Sequence, residues 1–256
     1  QGYSSAASDV YKRQVNTHDD QEEVASLINK YGLIAIPVVD YEMCMVGIVT
    51  VDDAMAVLQE EATEDMSMMA GIAPSEDSYF GTSVWKHVRN RFPWLLFLML
   101  SATMTGLLLG HYEGALAVMP ILNTFVPMLT GTGGNCGSQS STLIIRGLAV
   151  DEIEFGDIFK VLFKEIRIAL LAGFLLAIVN GIRIVLMYKD TMLAFAVGLT
   201  LMCTVILSKT IGCSLPLIAK KCGLDPAIMA APLITTLVDT GTIFVYFTIV
   251  TRIFHI

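Results

Sequence analysis

Asp239 is a carboxylate near the middle of Ala227 to Val250, an apolar run long enough to cross a bilayer. At about 1.5 Å of rise per residue, roughly 20 apolar residues make a crossing. An isolated carboxylate at that depth costs about 2.5–3.5 kcal/mol on insertion scales, so it is expected to face a water-filled path or a partner rather than lipid. Thr235, Thr236, Thr240 and Thr242 add hydroxyl oxygens around it. Hard oxygen donors of this kind suit Mg²⁺ or Ca²⁺. A protonated Asp239 bonded to a neighbouring helix is the competing reading of the same pattern.

A second unusual stretch runs from Pro127 to Thr142 between apolar segments, with glycines at Gly131, Gly133, Gly134 and Gly137. So many glycines make a poor continuous helix. Irregular backbone at membrane depth is tolerated only where it packs in protein or lines a water-filled cavity. Freed carbonyls, with Asn135, Gln139, Ser140 and Ser141, would then hydrogen-bond or replace an ion's hydration water. The alternative is a close-packing motif of small residues. Toward the amino terminus, Asp52, Asp53, Glu60, Glu61, Glu64 and Asp65 form an acidic run. Divalent ions bridging such residues across domains or subunits would favour a compact state, whereas a solvated acidic helix is the plainer reading. Asp225 before Pro226 recruits ions at the mouth of the last span or caps its helix. Glu113 reads as an outer-loop acid, Arg146 as a ligand for lipid phosphate or a helix end, and Lys209 as a snorkelling residue near a span's end.

Composition supplies the setting for these residues. The chain of 256 residues is 54% hydrophobic and 16% charged, with a mean hydropathy of +0.65, too apolar for an ordinary soluble domain. Residues 1–92 hold 15 acids against 6 Lys or Arg, and residues 93–256 hold 9 against 10, so an acidic soluble part precedes a nearly neutral membrane part. Acidic surfaces repel nucleic acid. Cys44, Cys136, Cys203, Cys213 and Cys222 are scattered without a C-x-x-C pair and read as packing residues. The start carries no cleavable signal pattern, which predicts a cytoplasmic amino-terminal part.

Residues 1–14 lack periodicity and are set aside as a tail. A helix is expected from Asp19 to Tyr31, strands at Leu33–Val39 and Met45–Thr50, and a helix at Val51–Glu61. An acidic linker and connecting helix occupies 66–92, ending in the basic cluster Lys86, His87, Arg89 and Arg91. Residues 93–256 then contain five expected spans, roughly Pro93–Leu109, Ala115–Leu129 with an irregular continuation, Ile168–Met187, Met192–Leu217 and Ala227–Thr251. Asp151–Glu165 reads as an amphipathic helix at the interface. The distribution of basic residues puts the amino terminus inside and the carboxyl terminus outside.

The αββα run at 15–65, with IPVVD at Ile36–Asp40 and GIVTVDD at Gly47–Asp53, resembles the second motif of a CBS domain pair. GGNCGSQ followed by TLIIRGLA, between Pro127 and Ala149, resembles the signature of the MgtE family of magnesium transporters and channels, and Asp225-Pro226-Ala227, Ala231-Pro232 and Thr236-Leu-Val-Asp239 resemble its final span. The resemblance implies an α-helical integral membrane protein with five transmembrane helices, preceded by a partial α/β CBS domain. It also implies a homodimer in the cell membrane with a pore on the two-fold axis, where Asp239 binds the transported Mg²⁺, helped by Asp225, Asn135, Gln139 and Thr236. Regulatory Mg²⁺ at the CBS and connecting-helix region, near Asp52 to Asp65, would close the pore. Adenine nucleotide is a further candidate ligand of the CBS part. Met229-Ala230-Ala231 precedes Pro232, where many members carry a polar residue, which predicts less polar lining.

Two other functions compete with Mg²⁺-selective conduction. One is a broader divalent (Co²⁺, Ni²⁺, Mn²⁺) or proton-coupled carrier, since an intramembrane aspartate also suits proton relays. The other is a membrane-anchored CBS ion or nucleotide sensor. An enzyme is not indicated: there is no nucleophile–base pair, and the glycine run lacks the Lys-Ser/Thr ending of a phosphate-binding loop.

Overall fold

A computed structural model describes residues 14–75, 78–150, 152–229 and 231–256. Glu76, Asp77, Asp151 and Ala230, which entered the sequence reading, lie outside the described residues, as does most of the tail. The chain divides between Met66 and Ser67 into two compact units.

The first unit is a small α/β layer. Strand β1 (Val15–Asn16) pairs in parallel with β2 (Ala35–Val39), which pairs antiparallel with β3 (Met45–Thr50). Helix α1 (Gln21–Tyr31) begins where the Asp20 side chain accepts a hydrogen bond from the Glu22 N–H at 2.9 Å, and ends at Gly32, whose φ of 59° is left-handed. Val24, Ala25 and Ile28 of α1 pack with Val15, Ile36 and Ala54, the last from α2 (Val51–Met69). The expected elements are present, with α2 running on past Glu61. Strand β1 is two residues long and leaves no periodic signal in the sequence. Met45, Val46 and Ile48 on β3 remain exposed, and of this strand Val49 packs against the small core.

The second unit is helical. Its helices are α3 (Val84–His111), α4 (Glu113–Val118), α5 (Val126–Ala149), α6 (Ile158–Tyr188), α7 (Thr191–Lys221) and α8 (Ala231–Phe254), with short 3-10 turns at Pro120–Phe125, Phe155–Asp157 and Pro226–Met229. Among the described residues four stretches are long and apolar enough to cross a membrane: Val84–His111, Phe155–Tyr188, Thr191–Lys221 and Pro226–Phe254. Helix α5 has 24 residues, which at 1.5 Å each reach about 36 Å, enough for a hydrocarbon core of ~30 Å. Its glycine, serine and threonine content makes it less apolar than the others.

Three expectations change here. The span proposed at Ala115–Leu129 is broken at Met119–Phe125, and the continuous helix is the glycine-rich stretch itself. The interfacial helix expected at Asp151–Glu165 is a 3-10 turn followed by the first turns of α6, because the apolar periodicity continues unbroken into the span. The connecting helix expected before residue 93 is not separate: Lys86, His87, Arg89 and Arg91 belong to α3, and the described residues between α2 and α3 form turns and coil. Gly71, at φ 69°, breaks the helix there, with the Trp94 ring against its Cα, and the Ala73 N–H donates to the Asn90 carbonyl at 3.0 Å.

Two clusters hold the bundle. Near the start of α5, Leu122, Phe125 and Leu129 pack with Ile184, Val197, Tyr246 and Phe247, and the Tyr246 hydroxyl donates to the Leu122 carbonyl at 2.9 Å. Near its end, Ile144 and Leu148 pack with Val161, Cys213 and Leu217. There Lys220 Nζ donates to the Leu148 carbonyl at 3.1 Å, satisfying one of the last carbonyls of α5. Helix α3 buries no residue and is tied to α8 by the Thr105 and Thr240 hydroxyls, 2.9 Å apart.

Candidate functional site

Asp239 lies near the middle of α8, in a bundle that covers it only partly. Thr235 and Thr236 both donate their hydroxyl hydrogens to the Pro232 carbonyl, at 2.9 and 3.0 Å, and Thr240 donates to the Thr236 carbonyl at 3.2 Å. Pro232 has no N–H of its own, and these hydroxyls use their hydrogens along the helix, leaving lone pairs free to accept. Among the described residues Asp239 has no hydrogen-bond or ion-pair partner. The neighbouring-helix bond that the competing reading requires is therefore not formed among the described residues.

Helix α5 runs beside this stretch. A methyl group built on Gly133 would crowd Val238 at 2.8 Å, one on Gly137 would crowd Ile234 at 2.7 Å, and one on Gly134 would meet Thr235 at 2.9 Å. The glycines thus bring the α5 backbone against α8 on either side of Asp239's level. That contact is why a sequence rich in helix-disfavouring glycine forms an unbroken helix: close packing, the alternative weighed for this motif, compensates for its weak propensity. The irregular backbone and freed carbonyls expected there are absent from the described residues. Asn135 and Gln139, four residues apart, share an exposed face of α5 and are not buried by the bundle.

The remaining candidates are placed differently. Asp225 Oδ1 accepts from the Ala227 N–H at 2.7 Å and caps the 3-10 turn before α8. Asp53 accepts from the Thr50 hydroxyl at 2.6 Å and from its N–H at 3.3 Å, a capping arrangement at the start of α2. Glu61 accepts from Gln21 at 3.4 Å, and Asp52, Glu60 and Glu64 are exposed on α2. Among the described residues no three His, Cys, Asp or Glu side chains converge to hold a metal.

Lys209 overturns its expected role. It is 7% exposed and does not snorkel: Nζ donates to Ser140 Oγ at 3.0 Å and lies 3.3 Å from Glu165 Oε2. Ser140 in turn donates to the same carboxylate oxygen at 2.6 Å. The sequence carried a signal for this network, since Lys209 and Glu165 are opposite charges in or beside successive apolar runs, and such residues turn inward and pair.

A partly buried carboxylate in a bundle of membrane-length helices, preceded in the chain by a small α/β unit, is the arrangement of a multi-pass membrane protein. Comparison with known families agrees: residues 126–249 match the MgtE family, described as divalent cation transporter, and residues 12–60 match the CBS domain. The chain is 37% identical over 236 residues to magnesium transporter MgtE of Bacillus subtilis (strain 168), covering 92% of this chain and 52% of that protein. It is 37% identical over 237 residues to the protein of the same name from Thermus thermophilus, covering 92% and 52%, and 33% identical over 240 residues to that of Enterococcus faecalis, covering 93% and 52%. The chain spans about half the length of these relatives. It carries an MgtE-family domain together with a CBS domain.

Proposed function

We propose that this chain forms the conducting part of a magnesium transport protein, in which two copies meet on a two-fold axis and pass Mg²⁺ down its electrochemical gradient. The observation that carries this reading is Asp239, a carboxylate without an internal partner among the described residues, held inside a membrane-length helix. The relatives named magnesium transporters supply the identity of the ion. In a symmetric dimer two Asp239 carboxylates balance one divalent charge. Mg²⁺ dehydrates reluctantly, so it passes with most of its waters, touched by Asp239 directly or through water and by the oxygens of Thr236, Asn135 and Gln139. Asp225 caps its turn and adds negative potential at the mouth. The excess of basic residues on one side of the spans supports an amino terminus in the cytoplasm and a carboxyl terminus outside the plasma membrane.

Conduction is tested in proteoliposomes loaded with a Mg²⁺ indicator. Influx that follows an imposed membrane potential and ignores a pH gradient supports the channel reading; influx that requires the pH gradient supports a proton-coupled carrier instead. Retained signalling without transport would favour the sensor.

Feedback by the transported ion belongs to the same reading. The exposed acids of α2 repel one another, and Mg²⁺ binding to Asp52, Asp53, Glu60, Glu61, Glu64 and Asp65 relieves that repulsion and favours the closed state. Replacing Glu60, Glu61, Glu64 and Asp65 by their amides raises the cytosolic Mg²⁺ concentration that halves the current by about tenfold, within the usual range of coupling between sites. Patch recordings at graded internal Mg²⁺ read this directly, and an unchanged inhibition curve would rule the acidic run out as the sensor.

A further inference from the structure

Three helices meet at one buried polar cluster that the transport reading does not use. Ser140 on α5, Glu165 on α6 and Lys209 on α7 are 0%, 6% and 7% exposed, and each is bonded to the other two. Ser140 follows Gln139 directly and lies three residues past Gly137, roughly 4.5 Å along the axis from the place where α5 packs on α8. Its side chain turns inward while Asn135 and Gln139 point out of the bundle.

Elsewhere α5 is held by buried apolar side chains such as Leu129, Ile144 and Leu148 and by the Ser141 hydroxyl, which donates to the Met229 carbonyl at 3.2 Å. Gly133, Gly134 and Gly137 present no side chain that would resist sliding or rotation against α7 and α8. Ser140 differs, because its hydroxyl donates to Glu165 and accepts from Lys209, two groups that cannot be left unpaired at this depth without a large penalty. The ion pair forms directly at 3.3 Å, and the two hydrogen bonds of Ser140 to it fix where this part of α5 stands.

We infer that the Ser140–Glu165–Lys209 network is a positioning device that sets the rotation and register of α5, and so sets the Asn135 and Gln139 face relative to Asp239. Paired, it also cancels the Lys209 charge inside a cation-conducting bundle. The inference rests on the transport reading, for which the spacing of these polar side chains decides how well the protein distinguishes hydrated Mg²⁺ from hydrated Co²⁺. None of the three residues touches the ion; they act through Asn135 and Gln139.

The test uses the natural polypeptide carrying this sequence, reconstituted in liposomes, with Mg²⁺ and Co²⁺ influx measured side by side. The influx ratio is the deciding readout, because a variant that merely folds less well loses both fluxes together. Ser140→Ala leaves the ion pair in place and shifts the ratio by about fivefold, the effect that a single hydrogen bond carries. Glu165→Gln strands the ammonium, and Mg²⁺ influx falls by roughly tenfold or more. The neutral pair Glu165→Gln with Lys209→Met removes the stranded charge, so influx returns toward the parent value while the ratio remains shifted; this variant also covers the case in which Glu165→Gln alone fails to fold. A parent-like ratio in both Ser140→Ala and the double variant would overturn the inference while leaving transport intact. A parent protein without Mg²⁺ influx would overturn the transport reading and the inference with it.

Discussion

Asp239→Asn is expected to abolish Mg²⁺ influx while leaving a folded, normally assembled protein. Both halves follow from the site. Asp239 is only partly buried and accepts no hydrogen bond from the described residues, so the amide replaces the carboxylate without breaking an internal bond or stranding a partner. Thermal stability in detergent should therefore match the parent, since substitutions away from packing and bonding networks usually stay within about 0.5 kcal/mol. Conduction should not match it. A unit charge 4 Å from another is worth about 1 kcal/mol in bulk water and about 4 kcal/mol at an effective dielectric of 20. Losing that attraction to the ion reduces occupancy by roughly one to three powers of ten. Proteoliposome influx at equal protein content measures the loss, with size-exclusion elution reporting assembly. Parent-like influx from a well-folded Asp239→Asn protein would remove Asp239 from the pathway.

The second large effect concerns packing. Any side chain at Gly212 on α7 would overlap the Gly137 carbonyl oxygen of α5, a backbone group that cannot swing aside. Gly212→Ala should therefore force the two helices apart, and overpacking of this kind costs about 1–3 kcal/mol and occasionally more. Gly131, on the same α5, has no atom within 4 Å of the position a methyl group would take. Gly131→Ala should be neutral or slightly stabilising, because alanine is a better helix former by roughly 1 kcal/mol. A detergent melt comparing the two variants checks the pair. A lower midpoint for Gly212→Ala alone is expected, and equal melting would mean that the α5–α7 contact is not tight.

The second effect comes from the packing of the glycine-rich helix, and there sequence and tertiary structure part company. The apolar lengths of α3, α6, α7 and α8, the αββα order of the amino-terminal unit and the depth of Asp239 are all one-dimensional properties. Periodicity and run length carry them, because burial in lipid or in a small core imposes a period on the chain itself. The amino-acid sequence by itself therefore determined the membrane class, the two-part organisation and the carboxylate at the centre of the last span.

Tertiary structure decided what no local pattern encodes. A run with Gly131, Gly133, Gly134 and Gly137 is a weak helix by propensity, and only the close approach of α7 and α8 makes it continuous. Lys209 looks like a snorkelling residue until Glu165, 44 residues away, and Ser140, 69 residues away, are brought against it. Asp53 reads only as part of an acidic run until its carboxylate is found accepting from the Thr50 N–H and hydroxyl at the start of α2. In each case the deciding partner is distant in the chain or is a backbone group exposed by the fold. The energy of a polar side chain at membrane depth depends on that partner, and the partner exists only once the helices have packed.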